Sequence, residues 1–226
     1  MVQVETRAER MQGVREKILS VSKRLFIEQG YKKTTIRQIV QESGITSGSI
    51  YNLFESKDAV FAAIANDLLD LMIAQVESRM ADQDMLHRYA GLMGLEWYCI
   101  ERDPILRELC YEAYTEPQIL EAIIRKNMDL AVYYLEDADL IGDFRPEDYY
   151  ARMVMAKGAM LGFIEFFGFE HAGNVRNLRR ELANITFISA GLKKKDIKEL
   201  YRFILDQDPL FEELSSNVMN GIHVSE

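Results

Sequence analysis

The chain has 226 residues, 27 Lys or Arg against 36 Asp or Glu, a formal net charge of −9, and 48% hydrophobic residues. That length has room for two domains, and four prolines with no alternating strand pattern, repeat or low-complexity tract point to an all-α fold. No secretory pattern opens the chain. Its most apolar run, 159–169, is short and interrupted by Glu165, so the expectation is a cytoplasmic protein with no membrane partner.

Residues 1–11, with Arg7 and Arg10, read as a flexible tail or as an arm for the DNA minor groove. Val14, Ile18, Val21 and Leu25 then recur at helical spacing, Leu19 and Phe26 widen the apolar stripe, and Gly30 ends it. Thr35 before Ile36, with Gln38 three positions on, is a capping-box pattern for a short helix carrying Ile36, Ile39 and Val40. Gly44 suits the left-handed conformation that closes such a helix. Thr46 caps the next helix, whose first turn, Ser47-Gly48-Ser49, is too small to build a core. Those residues offer hydroxyls and let the backbone approach a surface closely. Ile50 and Phe54, four apart, anchor this helix from beneath. Ser56 caps a further helix and leaves Lys57 at its N-terminus, where the ammonium and free backbone N–H groups together favour an anion. Two short helices around a tight turn, the second opened by small polar residues, suit insertion into a DNA major groove. Residues 1–60 carry ten Lys or Arg against seven Asp or Glu, and the remainder carries seventeen against twenty-nine. A basic end on an acidic chain favours nucleic-acid binding by that end alone.

On these residues the chain resembles the DNA-binding domain of the tetracycline-repressor (TetR) family of bacterial transcription regulators. The matching landmarks are Ile18-Leu19, Leu25-Phe26, Gly30-Tyr31, Thr34-Thr35, Ile39, Gly44-Ile45, Gly48-Ser49-Ile50-Tyr51, Phe54 and Ser56-Lys57. The resemblance covers the first quarter of the chain. It implies a three-helix helix-turn-helix domain at 12–58 and a helical bundle for effector binding and dimerisation at 59–226. The partners it implies are double-stranded operator DNA, a second copy as homodimer, and a small-molecule effector of apolar or aromatic character. By position it places Thr34, Thr35 and Tyr51 on phosphates. Ser47, Gly48, Ser49 and Asn52 face the groove beside the cap Thr46, and Lys57 holds a phosphate from the next helix. Arg37 reads as a phosphate ligand or as an ordinary exposed charge. The chain departs from the family at Ser47, where a basic residue is frequent, and at Leu53, where Tyr or His often supplies a backbone contact. Val40 and Ser43 replace alanines, which affects packing only.

Downstream the sequence reads as helices. One runs from Ser56 to about residue 80 with Val60, Ile64, Leu68, Leu71 and Met72 inside, and the next spans 84–101. Asp103-Pro104 and Glu116-Pro117 restart helices, since proline is tolerated at the first helical position. Residues 138–145, with Gly142, read as a loop, and Pro146 opens a long helix to about residue 169. Gly173 and Asn174 break the chain and cap a helix to about 190, and amphipathic stretches at 196–205 and 209–219 finish it.

The helix from Pro146 is apolar nearly all round, which predicts burial on more than one side. Gly158 and Gly162, flanking Leu161, permit close helix contact, either across the dimer interface that the family builds from its late helices or within one subunit. One recognition helix reads too few base pairs for useful specificity. A two-fold dimer supplies two, about 34–36 Å apart. Glu165, between Ile164 and Phe166, calls for a cationic effector, an intersubunit ion pair or a solvated rim. Met93, Trp97, Tyr98, Tyr111, Tyr114, Tyr134, Phe163 and Phe166 suit the lining of an apolar effector cavity, and equally an ordinary core. His87, His171 and His223 have no metal spacing, and neither a phosphate loop nor a nucleophile elbow is present, so neither an enzyme nor a cofactor is expected. Cys99 and Cys110 fall on different helices and read as reduced buried thiols, with a redox switch as the sharper alternative. These readings converge on a homodimeric transcription regulator, a repressor released by an effector. The alternative is a DNA-associated structural or cell-division factor on the same scaffold.

Overall fold

A computed structural model of the chain describes residues 6–140, 145–169 and 173–222; Gly142, His171 and His223 lie outside them. The described residues form eleven helices and no strand: α1 (Arg7–Gln29), α2 (Ile36–Ser43), α3 (Ser47–Leu53), α4 (Lys57–Arg79), α5 (Met85–Arg102), α6 (Pro104–Thr115), α7 (Pro117–Leu135), α8 (Pro146–Phe166), α9 (Val175–Ser189), α10 (Lys194–Asp206) and α11 (Asp208–Ile222).

Helix α1 begins at Arg7, inside the stretch expected as a tail. Thr6 accepts from the Glu9 backbone and the Glu9 carboxylate accepts from the Thr6 backbone, a capping box that the sequence spells as Thr-x-x-Glu. Thr35 and Gln38 do the same for α2, and Gly44 closes it at φ +65°. Thr46 and Ser56 cap α3 and α4 through the Ser49 and Ala59 backbone N–H groups. Ile18, Ile39 and Ile50 are fully buried and join α1, α2 and α3 into one small core.

The first turn of α4 fastens that core to the rest of the chain. The ring centroids of Phe26, Tyr31 and Phe61 lie 4.8–5.5 Å apart. The Tyr31 hydroxyl donates to Asp58, and the Lys57 ammonium sits 3.9 Å from the Tyr31 ring centroid and donates to its carbonyl at 2.9 Å. Burial, and then Asp58, push the Tyr31 phenol well above its ordinary pKa, so it stays a donor. By length and composition α4 is apolar enough to cross a membrane. Here it packs against α1, α5, α7 and α11, and Asp67 and Asp70 pair with Arg15 of α1 and Lys126 of α7.

Helix α5 is the centre of the helices that follow α3, buried almost continuously from Tyr89 to Ile100 and packed by α4, α6, α7, α10 and α11. Its glycines make that possible. A Cβ on Gly91 would lie 2.4 Å from the Met80 sulfur, and one on Gly94 would lie 2.8 Å from the Phe211 ring. The close-packing pair expected from the sequence was Gly158 and Gly162, yet among the described residues no neighbouring element comes within 4 Å of a Cβ at either. Helix α8 correspondingly keeps one bare side: Val154, Met155, Gly158, Gly162 and Glu165 are exposed and Leu161 is half-buried. Ile185 and Ile188 extend this apolar face onto α9, the helix packed beside it. Arg179, buried on α9, reaches Glu101 of α5 and Asp208 of α11 and ties the outer layer to the centre.

Gly94→Ala is expected to destabilise the chain by about 1–3 kcal/mol through overpacking against Phe211. Gly158→Ala meets no clash and is expected to be neutral or to gain up to about 1 kcal/mol of helix propensity. Urea melts of both variants, under conditions where wild type is monomeric, check the contrast.

Candidate nucleic-acid interface and adjoining cavity

Ile50 and Phe54 hold α3 down by one face, with Leu53 half-buried beside them. The opposite face presents Ser47, Gly48, Tyr51 and Asn52 to solvent, spaced i, i+1, i+4 and i+5 along one side of the helix. Tyr51 is 55% exposed, unusual for an aromatic residue on so short a helix. Ser49 is half-buried, its hydroxyl 3.0 Å from that of Thr46 and its backbone N–H on the same oxygen. Thr46 therefore serves the helix as its cap. Thr35 is exposed but its hydroxyl is likewise engaged in the α2 box.

Thr34 is placed differently from the sequence expectation of a phosphate contact. It is 1% exposed, and its hydroxyl bonds the Leu25 and Gly30 carbonyls and receives the Gln29 amide. The threonine pair looks alike in sequence, but only Thr35 faces outward. Lys57 is also turned into the chain, onto Tyr31, and burial lowers its pKa despite the nearby Asp58. Arg37 on α2 and Lys33 just before it are exposed and form no ion pair among the described residues. Lys33 escaped the sequence reading, although its place directly before Thr34-Thr35 was the available signal. The helix-turn-helix surface thus combines a small, nearly neutral α3 face with exposed cations on α2 and the turn before it.

A cavity of about 310 Å³ lies between α1, α4, α5, α6 and α7. Leu19, Phe26, Phe61, Leu68, Met72 and Leu109 form much of its apolar wall, while Glu16 and Asp67 stand exposed at its rim. Of the eight residues expected to line an effector cavity, Tyr114 lines this one. Met93 and Trp97 line a separate hole of about 10 Å³. Tyr98 packs on Phe211, Tyr134 donates to Glu77, Phe163 and Phe166 stack on Phe167, and Tyr111 lies at the surface. Aromatic content marks core and cavity wall alike, so composition did not separate them. The sequence reading also missed that α1 supplies part of the wall, and it missed Glu96, Asn127 and Lys157. Glu96 and Lys157 had a signal: each is the lone charge in an apolar stretch of helix. Glu165, singled out on that ground, is exposed.

At the inner side of the cavity Lys157 Nζ donates to the Tyr114 hydroxyl at 3.1 Å, and that hydroxyl donates to Glu96 at 3.2 Å. Burial, and then Glu96, hold the Tyr114 phenol far above its ordinary pKa. Burial pushes the Cys99 thiol up to about 12 and Cys110 higher still, the opposite of what a redox-active thiolate requires.

Residues 18–64 match the family described as bacterial regulatory proteins, tetR family. The chain is 33% identical over 100 residues to the HTH-type transcriptional regulator YvdT of Bacillus subtilis, covering 44% of this chain and 52% of that protein. It is 26% identical over 140 residues to the HTH-type transcriptional repressor KstR2 of Mycolicibacterium smegmatis, covering 59% and 68%. The chain thus spans about half to two thirds of the length of these curated relatives. Among solved structures, the regulator tylp of Streptomyces fradiae aligns over 93% of this chain and 99% of its own, with a TM-score of 0.53 and 17% identity, a likeness of fold.

Thr34→Val should cost about 1–3 kcal/mol, because it leaves buried carbonyls and the Gln29 amide without their partner. Ser47→Ala, on the open face, should stay within about 0.5 kcal/mol of wild type. Paired chemical melts read the difference, and equal losses would mean that Thr34 is not where the fold puts it.

Proposed function

Since the chain belongs to the TetR family of bacterial regulatory proteins, we propose that it is a homodimeric DNA-binding transcription regulator, a repressor that a small apolar effector releases from its operator. The observation that carries this reading is the α3 face of Ser47, Gly48, Tyr51 and Asn52, held outward by Ile50 and Phe54. Such a face enters the major groove closely because its first turn is small, and Asn52 has the amide that pairs with an adenine edge. Tyr51 and the α2 N-terminal turn lie where phosphates flank the groove, and Arg37 adds charge there.

The bare α8–α9 side supports the dimer. Met155 is 70% exposed, and with Val154, Ile185 and Ile188 it makes an apolar stripe that water disfavours. Gly158 and Gly162 within that stripe leave room for a second backbone. A two-fold axis there presents two α3 helices to successive major grooves.

The cavity supports the effector. An apolar space of about 310 Å³ is at the small end of ligand sites. Its walls come from α1 and from α4, so a bound molecule touches the DNA-binding head directly as well as the helix that carries it. An effector that fits better when α1 stands away from α6 shifts the dimer toward a spacing that the operator rejects. It does so only by its difference in affinity for the two states.

DNA selected from a random pool on the purified protein should yield a two-fold palindrome with half-sites about one helical turn apart. Arg37→Ala is expected to weaken binding to all sequences and to lower the slope of log affinity on log salt by about 1 per protomer. Asn52→Ala should cost about 1–3 kcal/mol on the preferred sequence and relax the choice at one base pair of each half-site. Met155→Asp should turn the dimer into monomer in sedimentation and abolish operator binding. A monomeric wild type, or selected DNA without two-fold symmetry, would overturn the proposal.

A further inference from the structure

The small hole beside the cavity has about 10 Å³ of space, close to the least that one water-sized oxygen needs. Glu96 and Asn127 line both spaces, so the hole adjoins the apolar cavity and is separated from it by these polar side chains. Two hydrogen-bond donors border it. Trp97 is fully buried and its indole N–H has no acceptor among the described residues. Such a group costs about 1–3 kcal/mol while it stays unmade. Lys157 is 6% exposed and donates to the Tyr114 hydroxyl; an ammonium carries three N–H groups. Its positive charge is balanced by Glu96 on the other side of that hydroxyl.

This arrangement selects among ligands. A hydrocarbon fills the apolar cavity but leaves the indole N–H without an acceptor. An ionised carboxylate places a second anion beside Glu96, which repels it. A neutral oxygen accepts from Trp97 and Lys157 and adds no charge. The geometry points to an effector that is an uncharged, mainly apolar molecule bearing one hydroxyl or carbonyl oxygen, with that oxygen seated between Trp97 and Lys157. The inference rests on the reading of the larger cavity as the effector site.

The chain contains one tryptophan, so its fluorescence reports on this hole alone. The test uses four probes of one skeleton, cyclododecane, cyclododecanol, cyclododecanone and cyclododecanecarboxylate, with the full-length dimer, by calorimetry and by Trp97 emission. The alcohol and the ketone should bind about tenfold tighter than the hydrocarbon, the worth of one hydrogen bond to a buried donor, and the carboxylate more weakly than either. Only the two neutral oxygenated probes should move Trp97 emission to longer wavelength. Trp97→Phe and Lys157→Met should each cut the advantage of the alcohol over the hydrocarbon to about threefold or less while the hydrocarbon binds as before. Equal affinity for cyclododecane and cyclododecanol, tightest binding of the carboxylate, or unmoved emission on saturation overturns this assignment and leaves the effector site standing. Failure of all four probes to bind overturns the effector site itself, as does their binding unchanged to the cavity-filling Ala113→Leu.

Discussion

Tyr31, packed between Phe26 and Phe61 with Lys57 against its ring and Asp58 on its hydroxyl, is the contact on which the position of the helix-turn-helix unit depends. Phe26 comes from α1 and Phe61 from α4, so the rings join the head to the helix leading into the second domain. Both rings also line the cavity. The fastening and the cavity wall are therefore one structure. Close-packed interiors transmit strain rather than absorb it, and a molecule pressing on this wall acts on the joint itself. From the joint the path to α3 is short: Ile18, Ile39 and Ile50 make one rigid core.

Helices α4, α6, α7, α10 and α11 pack around α5. Helix α5 is packed tightly at Gly91 and Gly94, where Met80 and Phe211 come closest. Arg179 adds a buried ion-pair link between α9, α5 and α11. Breaking such a link strands charges away from water, so it holds the layers in register even where it adds little net stability. Among the described residues, the α8–α9 side carries an exposed apolar stripe.

What the sequence made legible was local. Thr35, Gly44, Thr46 and Ser56 each act on the backbone within a few residues, and Pro104, Pro117 and Pro146 all stand at helix starts. The Thr6 and Glu9 box was as readable as that of Thr35 and Gln38, and went unread because residues 1–11 were read as a flexible tail or a minor-groove arm. What stayed hidden was what several helices make together. The cavity draws its lining from α1, α4, α5, α6, α7 and α11, and no spacing rule relates Leu19 to Leu109. Thr34 and Thr35 differ by which way one residue points after Tyr31. Gly158 and Gly94 look equivalent on their helices, and only the neighbour Phe211 tells them apart.

The uneven charge of the chain has a consequence for how it approaches a polyanion. At long range the molecule presents its net charge of −9 and is pushed away. Within a Debye length, about 8 Å at physiological ionic strength, the cations around α2 outweigh the distant acidic body. The same field exerts a torque, so a molecule that arrives sideways is turned before it touches. Salt then acts in two opposite ways, easing the distant repulsion while weakening the final grip. The acidic body also repels the bodies of other bound copies, so a stretch of nucleic acid carrying one molecule resists coating by many.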